Sequence, residues 1–161
     1  GGLVNKVLLS KAPKLPLKAY DDLGTFKLYT LDLGVLRKLS ELDASILLLP
    51  TPAYTEYKGA LAENYILQSL TAQFQMPFRY WTSDNKAEVD FLLQYINQIY
   101  PIEVKADQNI QGKSLIQYEK LFQPACRIRY SMLNLKQDGN LLNIPLFLAD
   151  KTRELLGVIN V

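Results

Sequence analysis

The stretch Ala87-Glu88-Val89-Asp90-Phe91-Leu92-Leu93, followed shortly by Tyr100-Pro101-Ile102-Glu103-Val104-Lys105-Ala106, decides how this chain is read. Both segments alternate as strands do, with successive side chains on opposite faces. Ala87, Val89, Phe91 and Leu93 are therefore expected on one face, with Glu88 and Asp90 on the other. In the second segment Tyr100, Ile102, Val104 and Ala106 share a face opposite Glu103 and Lys105. A turn centred on Ile96-Asn97 fixes the register, although isoleucine suits a type I′ turn poorly. That register sets Asp90 opposite Glu103 and Glu88 opposite Lys105. The second pair is favourable. The first puts two carboxylates face to face, at a cost of roughly a few tenths to 1 kcal/mol. A divalent cation between them reverses the sign, and two carboxylates with a backbone carbonyl and waters suit Mg²⁺.

Upstream, residues 54–74 carry a helical pattern in which Ile66, Leu67, Leu70 and Phe74 form an apolar stripe. Glu63 lies on or beside that stripe, and an ionised carboxylate facing a core needs a partner or a metal. Gly59, one turn earlier, is expected to let the helix approach a sheet closely. Strands are expected at 78–82, 87–94 and 99–106, a helix at 113–122, and a strand at 126–133. A last strand over 143–148 and a helix over 151–156 complete the reading. The order α-β-β-β-α-β predicts a mixed α/β layer architecture.

Residues 1–50 are set apart as the tail of an upstream segment: two strands (3–9 and 26–31) and a short helix capped by Asp32 enclose little core. Pro50-Thr51-Pro52 marks the expected boundary to a second unit over 51–161. The opening Gly1-Gly2-Leu3 lacks an initiating methionine, so a longer parent chain is expected.

Apolar residues make up 48% and charged residues 21%, ordinary for a globular domain. No segment resembles a membrane span or signal peptide, and a cytoplasmic location is expected. Histidine is absent and Cys126 is the single cysteine. Disulfide frameworks, cysteine zinc sites and Ser-His or Cys-His nucleophiles are thereby excluded. Chemistry must come from carboxylates, lysines, hydroxyls and a hard cation. The net charge of +2 does not by itself announce a nucleic-acid partner, and no G-x-x-x-x-G-K-[ST] phosphate loop is present. Glu56, Asp84 and Glu119 read as surface charges.

Glu63, Asp90 and Glu103-Val104-Lys105 together resemble the signature of the PD-(D/E)xK nuclease superfamily, which includes restriction endonucleases and Holliday-junction resolvases. A closer resemblance covers nearly the whole chain. It is to the uncharacterised C-terminal domain that follows the AAA+ module in prokaryotic predicted ATPases. The segments that carry it are Phe26-Lys27-Leu28-Tyr29, Leu31-Asp32-Leu33-Gly34, Gly59-Ala60-Leu61-Ala62-Glu63-Asn64, Tyr80-Trp81, Glu88-Val89-Asp90-Phe91, Pro101-Ile102-Glu103-Val104-Lys105, Lys113-Ser114-Leu115 and Asn143-Ile144-Pro145-Leu146.

The resemblance implies a restriction-endonuclease-like core with a small winged-helix-like remnant over residues 1–50. It implies catalytic residues Glu63, Asp90, Glu103 and Lys105. It also implies Mg²⁺ or Mn²⁺ held by Asp90, Glu103, the Val104 carbonyl and Glu63; the hairpin register adds Glu88 as the cross-strand restraint on Lys105. The implied partners are nucleic acid, in the first place DNA, and an upstream ATPase domain. Two readings compete with catalysis. One is a non-catalytic nucleic-acid-binding module using Lys113, Lys120, Arg127 and Arg129 with Tyr80, Trp81 and Tyr130 for stacking. The other is a regulatory docking module of the ATPase.

Overall fold

The computed structural model describes residues 4–30, 34, 52–84, 86–107 and 110–159. In chain order the elements are β1 (Val4–Ser10), β2 (Asp21–Thr30), α1 (Pro52–Phe74), β3 (Arg79–Ser83), β4 (Ala87–Tyr95), β5 (Gln98–Val104), α2 (Lys113–Phe122), β6 (Arg127–Ser131), β7 (Lys136–Asp138), β8 (Leu141–Pro145) and α3 (Thr152–Ile159). Short 3-10 turns cover Leu17–Tyr20 and Leu146–Lys151. The expected order α-β-β-β-α-β is present as α1-β3-β4-β5-α2-β6.

Among the described residues the strands form one eight-stranded mixed sheet in the order β2-β1-β3-β4-β5-β6-β8-β7. Neighbours β1–β3, β5–β6 and β6–β8 run parallel, and the remaining pairs run antiparallel. Helix α1 buries Ile66, Leu67 and Leu70, and α3 buries Leu156, against one sheet face with Phe91, Leu93, Tyr100 and Ile102. Helix α2 covers the other face with Leu115 and Tyr118, which meet Trp81, Ala87, Val89 and Leu92. Trp81 sits edge-on to Tyr118 and Phe122, at centroid distances of 5.4 and 5.3 Å. The result is a mixed α/β fold of three layers. Among the described residues no helix is long and apolar enough to cross a membrane.

The β4–β5 hairpin keeps the expected register from Tyr95↔Gln98 to Phe91↔Ile102. Its turn does so despite its residues: Ile96 and Asn97 both take positive φ, 46° and 59°. A type I′ turn requires this, and a β-branched residue resists it by roughly 1–2 kcal/mol. Ile96 is exposed, so its side chain has little packing to lose. Ile96→Asn is expected to raise stability by about 1 kcal/mol in urea unfolding; a loss would show that the isoleucine packs against something after all.

Three sequence expectations need correction. The alternation of β4 is broken by a bulge against β3: Trp81 pairs with Val89 but Arg79 pairs with Leu92, so Asp90 and Phe91 together oppose Tyr80. Ala87 and Val89 consequently pack under α2 with Leu92, while Phe91 and Leu93 turn to the α1 side. The N-terminal strands were assigned to a separate segment; instead β1 pairs with β3, and β1 and β2 extend the common sheet. The short helix expected after Asp32, apart from Gly34, and the Pro50-Thr51 part of the expected boundary lie outside the described residues. Finally, a Cβ on Gly59 would meet nothing within 4 Å, so this glycine marks no close approach.

Candidate metal centre

Each carboxylate of the sequence signature is held by a different element. Glu63 projects from the middle of α1, where Tyr29 of β2 donates its hydroxyl proton to Oε2 at 3.0 Å. One residue on, Asn64 repeats the link: Thr30 donates to its Oδ1 at 3.2 Å, and its amide donates to the Ala60 carbonyl. Asp90 sits on the β4 bulge, where regular pairing with β5 has stopped. Its Oδ2 accepts the Val104 N–H at 2.8 Å, so the side chain replaces a ladder bond and ties the ends of the two strands. Glu103, only 4% exposed, holds the Lys105 ammonium at 3.3 Å through Oε1. Among the described residues its Oε2 has no hydrogen-bond partner. That oxygen points at the start of α2, where a Cβ on Gly112 would come within 2.8 Å of it.

Lys105 departs from its expected pairing. Glu88 does not restrain it; Glu88 instead forms an ion pair with Lys27 of β2, whose ammonium lies 4.7 Å over the Tyr80 ring. The backbone N–H of Lys105 donates to the Tyr130 carbonyl on β6, leaving the side chain directed to Glu103.

All three carboxyl groups are harder to ionise than usual. Burial raises Glu63, opposed by the Tyr29 hydrogen bond and by Lys27 and Lys105 and reinforced by Glu88. Burial raises Asp90 well above the ordinary range; Glu63 and Glu103 push it further, against the Val104 N–H and Lys27. Burial raises Glu103, while Lys105 and Arg129 pull it back. Asp90 thus feels both other carboxylates, and Lys105 acts on Glu63 and Glu103 alike.

A group whose folded pKa is raised binds its proton more tightly in the native state. Its stabilising contribution is complete below the unfolded pKa and is lost as pH rises through the folded value. With chelator present, the melting temperature is therefore expected to fall as pH rises from the ordinary carboxylate range, about 4, to neutral. A flat or rising profile over that window would contradict this electrostatic picture.

The donor chemistry suits a hard cation: all ligands would be oxygens, and Glu103 Oε2 is buried with no partner among the described residues. Among the described residues no three such side chains are already gathered as a metal cage. The signature residues therefore stand as electrostatic neighbours rather than as a closed ligand set.

The competing basic and aromatic patch does not form. Tyr80, Trp81 and Tyr130 are buried. Arg127 is bound to Asn140 and Glu119, and Arg129 to Asn143. Only Lys113 and Lys120 of that set are exposed. Glu119, read as a surface charge, is in fact the ion-pair partner of the buried Arg127. Sequence reading did not place Lys27 and Tyr29 at the site, and it cast Arg129 only as a phosphate contact. The last pairs in register with Glu103 across β5–β6.

The family described as "Domain of unknown function (DUF4143)" matches residues 58–147, more than half of the chain. The chain belongs to this family. No curated protein and no solved structure matches it. The DUF4143 match contains Glu63, Asp90, Glu103 and Lys105, but Lys27 and Tyr29 fall outside it. The strand that supplies the Glu63 hydrogen bond is thus not part of the matched stretch.

Proposed function

We propose that this DUF4143 chain is a metal-dependent nuclease-like domain that hydrolyses phosphodiester bonds of nucleic acid, in the first place DNA, as part of a larger ATPase. The observation that carries the reading is Glu103: a buried carboxylate with one oxygen on Lys105 and, among the described residues, the other without a partner, while Asp90 feels the charge of both Glu103 and Glu63. The residues that would hold Mg²⁺ or Mn²⁺ are Asp90 and Glu103, with the Val104 carbonyl and Glu63. A bound cation would polarise the scissile phosphate and lower the pKa of a bound water.

The chain's own part is positioning and charge. Lys105 is part-exposed, so its ammonium can reach both Glu103 and an arriving phosphate. It orients the attacking water and offsets negative charge that grows on the phosphorus oxygens. The Val104 N–H fixes Asp90, so strand β5 aligns one carboxylate and carries the other. The ATPase link is supported by family context, since DUF4143 is usually found with AAA-type ATPases.

The absence of a preformed cage among the described residues favours one alternative, a regulatory docking module for that ATPase. The assay offers duplex, branched and single-stranded DNA and RNA, with Mg²⁺, Mn²⁺ or chelator, to wild type and Asp90→Asn. Cleavage that needs the cation and Asp90 supports the proposal. No cleavage, with no cation binding at millimolar concentration, leaves the docking module.

A further inference from the structure

The hairpin β1–β2 lies outside the stretch that matches the family, yet β2 turns two side chains into the carboxylate cluster. Alternation along an edge strand explains how. Lys27 and Tyr29 share the face toward α1, while Phe26 and Leu28 point the other way and stay exposed. Tyr29 is buried, and its ring packs on Phe91 at 5.5 Å, next in sequence to Asp90. Its hydroxyl meanwhile donates to Glu63 Oε2. One side chain thus links the helix that carries one carboxylate to the strand bulge that carries another. Lys27 presents the opposite chemistry. Its ammonium pairs with Glu88 and lies 4.7 Å over the ring of Tyr80, the residue that the Asp90 bulge opposes, so it sets a positive charge beside the cluster that a cation would otherwise neutralise.

We propose that β2 completes the metal centre: Tyr29 is a positioning residue that fixes the Glu63 carboxylate for a divalent cation, and Lys27 is an internal counter-charge that competes with that cation. The inference rests on the metal-binding reading given above. It follows that the matched stretch alone does not define the site, because the orientation of Glu63 is set from a strand outside it.

The test uses the whole chain and Mn²⁺, with binding followed by calorimetry and by the loss of the free-ion paramagnetic resonance signal. Tyr29→Phe keeps the ring and its contact with Phe91 but removes the hydroxyl. It is expected to weaken Mn²⁺ binding by roughly 10-fold or more, within the range found when a ligand loses its orienting partner. Lys27→Met keeps the length of the side chain but removes the charge, and is expected to tighten Mn²⁺ binding several-fold, an effect that salt should diminish. Lys27→Arg restores the charge and should return affinity to the wild-type value. A purely structural Tyr29 would lower the melting temperature and leave Mn²⁺ affinity unchanged, which overturns its positioning role. Weaker Mn²⁺ binding in Lys27→Met overturns the counter-charge. If wild type binds no Mn²⁺, the metal reading itself fails and this inference falls with it. If wild type binds, Asp90→Asn does not and Tyr29→Phe equals wild type, the metal reading stands and only the inference fails.

Discussion

Asp90→Asn is expected to abolish cation-dependent cleavage, by at least about 100-fold, and at the same time to raise the melting temperature of the metal-free protein at neutral pH. The two effects share one cause. Asparagine keeps the shape, and its carbonyl oxygen can accept the Val104 N–H as the Asp90 Oδ2 does now. What disappears is a negative charge placed in poor solvation beside Glu63 and Glu103. Without a cation that charge is a burden on the fold; with one it would, on the proposed function, be a ligand, and losing a ligand should exceed the 10–100-fold typical of losing an orienting partner. For a chain of this length a gain of 1 kcal/mol lifts the melting temperature by roughly 2–4 °C, which a thermal scan resolves. The steep part of the pH profile in chelator should flatten in the same variant. A suitable control is Glu154→Gln, because Glu154 is exposed and, among the described residues, pairs with Lys151 alone, whereas Glu119 supports buried Arg127. A variant that loses stability while cleaving at the wild-type rate would show that Asp90 is a structural hydrogen-bond acceptor and nothing more.

The hairpin at the centre of the fold was legible because its determinants are local. A two-residue turn sets the register, and the observed ladder runs from Tyr95↔Gln98 to Phe91↔Ile102 as expected. Helix α2 likewise spans the expected residues, Lys113–Phe122, with Leu115 and Tyr118 on its buried side. The bulge at Asp90 was not legible, since it arises from pairing with β3 on the other side of β4. The place of β1 and β2 was missed for a similar reason. β1 joins β3 in parallel through Leu8↔Arg79 and Leu9↔Tyr80, and such a long-range pairing leaves no periodicity in either segment. β7 is short and exposed at all three positions, so it offers no apolar alternation to read.

The candidate site divides along the same line. Glu63 could be named because it lay on or beside an apolar helical stripe, Asp90 and Glu103 because the turn register set two carboxylates opposite each other, and Lys105 through the family resemblance. Lys27 and Tyr29 follow an ordinary strand alternation, and only the assembled sheet brings them to α1. The discarded stacking patch failed through burial on both faces of the sheet. In a three-layer fold the second face of a central strand is core as well, so Trp81 packs under α2 while Tyr80 and Tyr130 lie on the α1 side. Aromatic residues that look available on a half-exposed strand are then structural.

Arg79→Ala and Asp21→Ala are each expected to cost about 3–5 kcal/mol, whereas replacing both residues by apolar side chains of similar size should cost much less. The Arg79 guanidinium grips Asp21 with two parallel bonds, Nε to Oδ1 at 2.8 Å and a terminal nitrogen to Oδ2 at 3.0 Å. Its other terminal nitrogen donates to the Pro77 carbonyl at 3.1 Å. The two side chains are only 8% and 11% exposed, so removing either partner strands the other charge away from water. An apolar pair strands nothing, and that asymmetry separates the penalty of an orphaned charge from the net value of the bridge. The position of the bridge gives the loss a direction. Asp21 opens β2 and Arg79 opens β3, so the bridge ties the start of the edge strand to the interior of the sheet. Breaking it should reduce hydrogen-exchange protection first in β1 and β2, the strands that deliver Lys27 and Tyr29, and later in β4 and β5. Mn²⁺ affinity should weaken in the single variants to the extent that β2 loosens, even though neither Arg79 nor Asp21 touches a proposed ligand. Single substitutions that cost under about 1 kcal/mol in urea unfolding, or a double substitution as harmful as either single, would show that the bridge is an exposed pair in solution and that β2 is held by its backbone ladder alone.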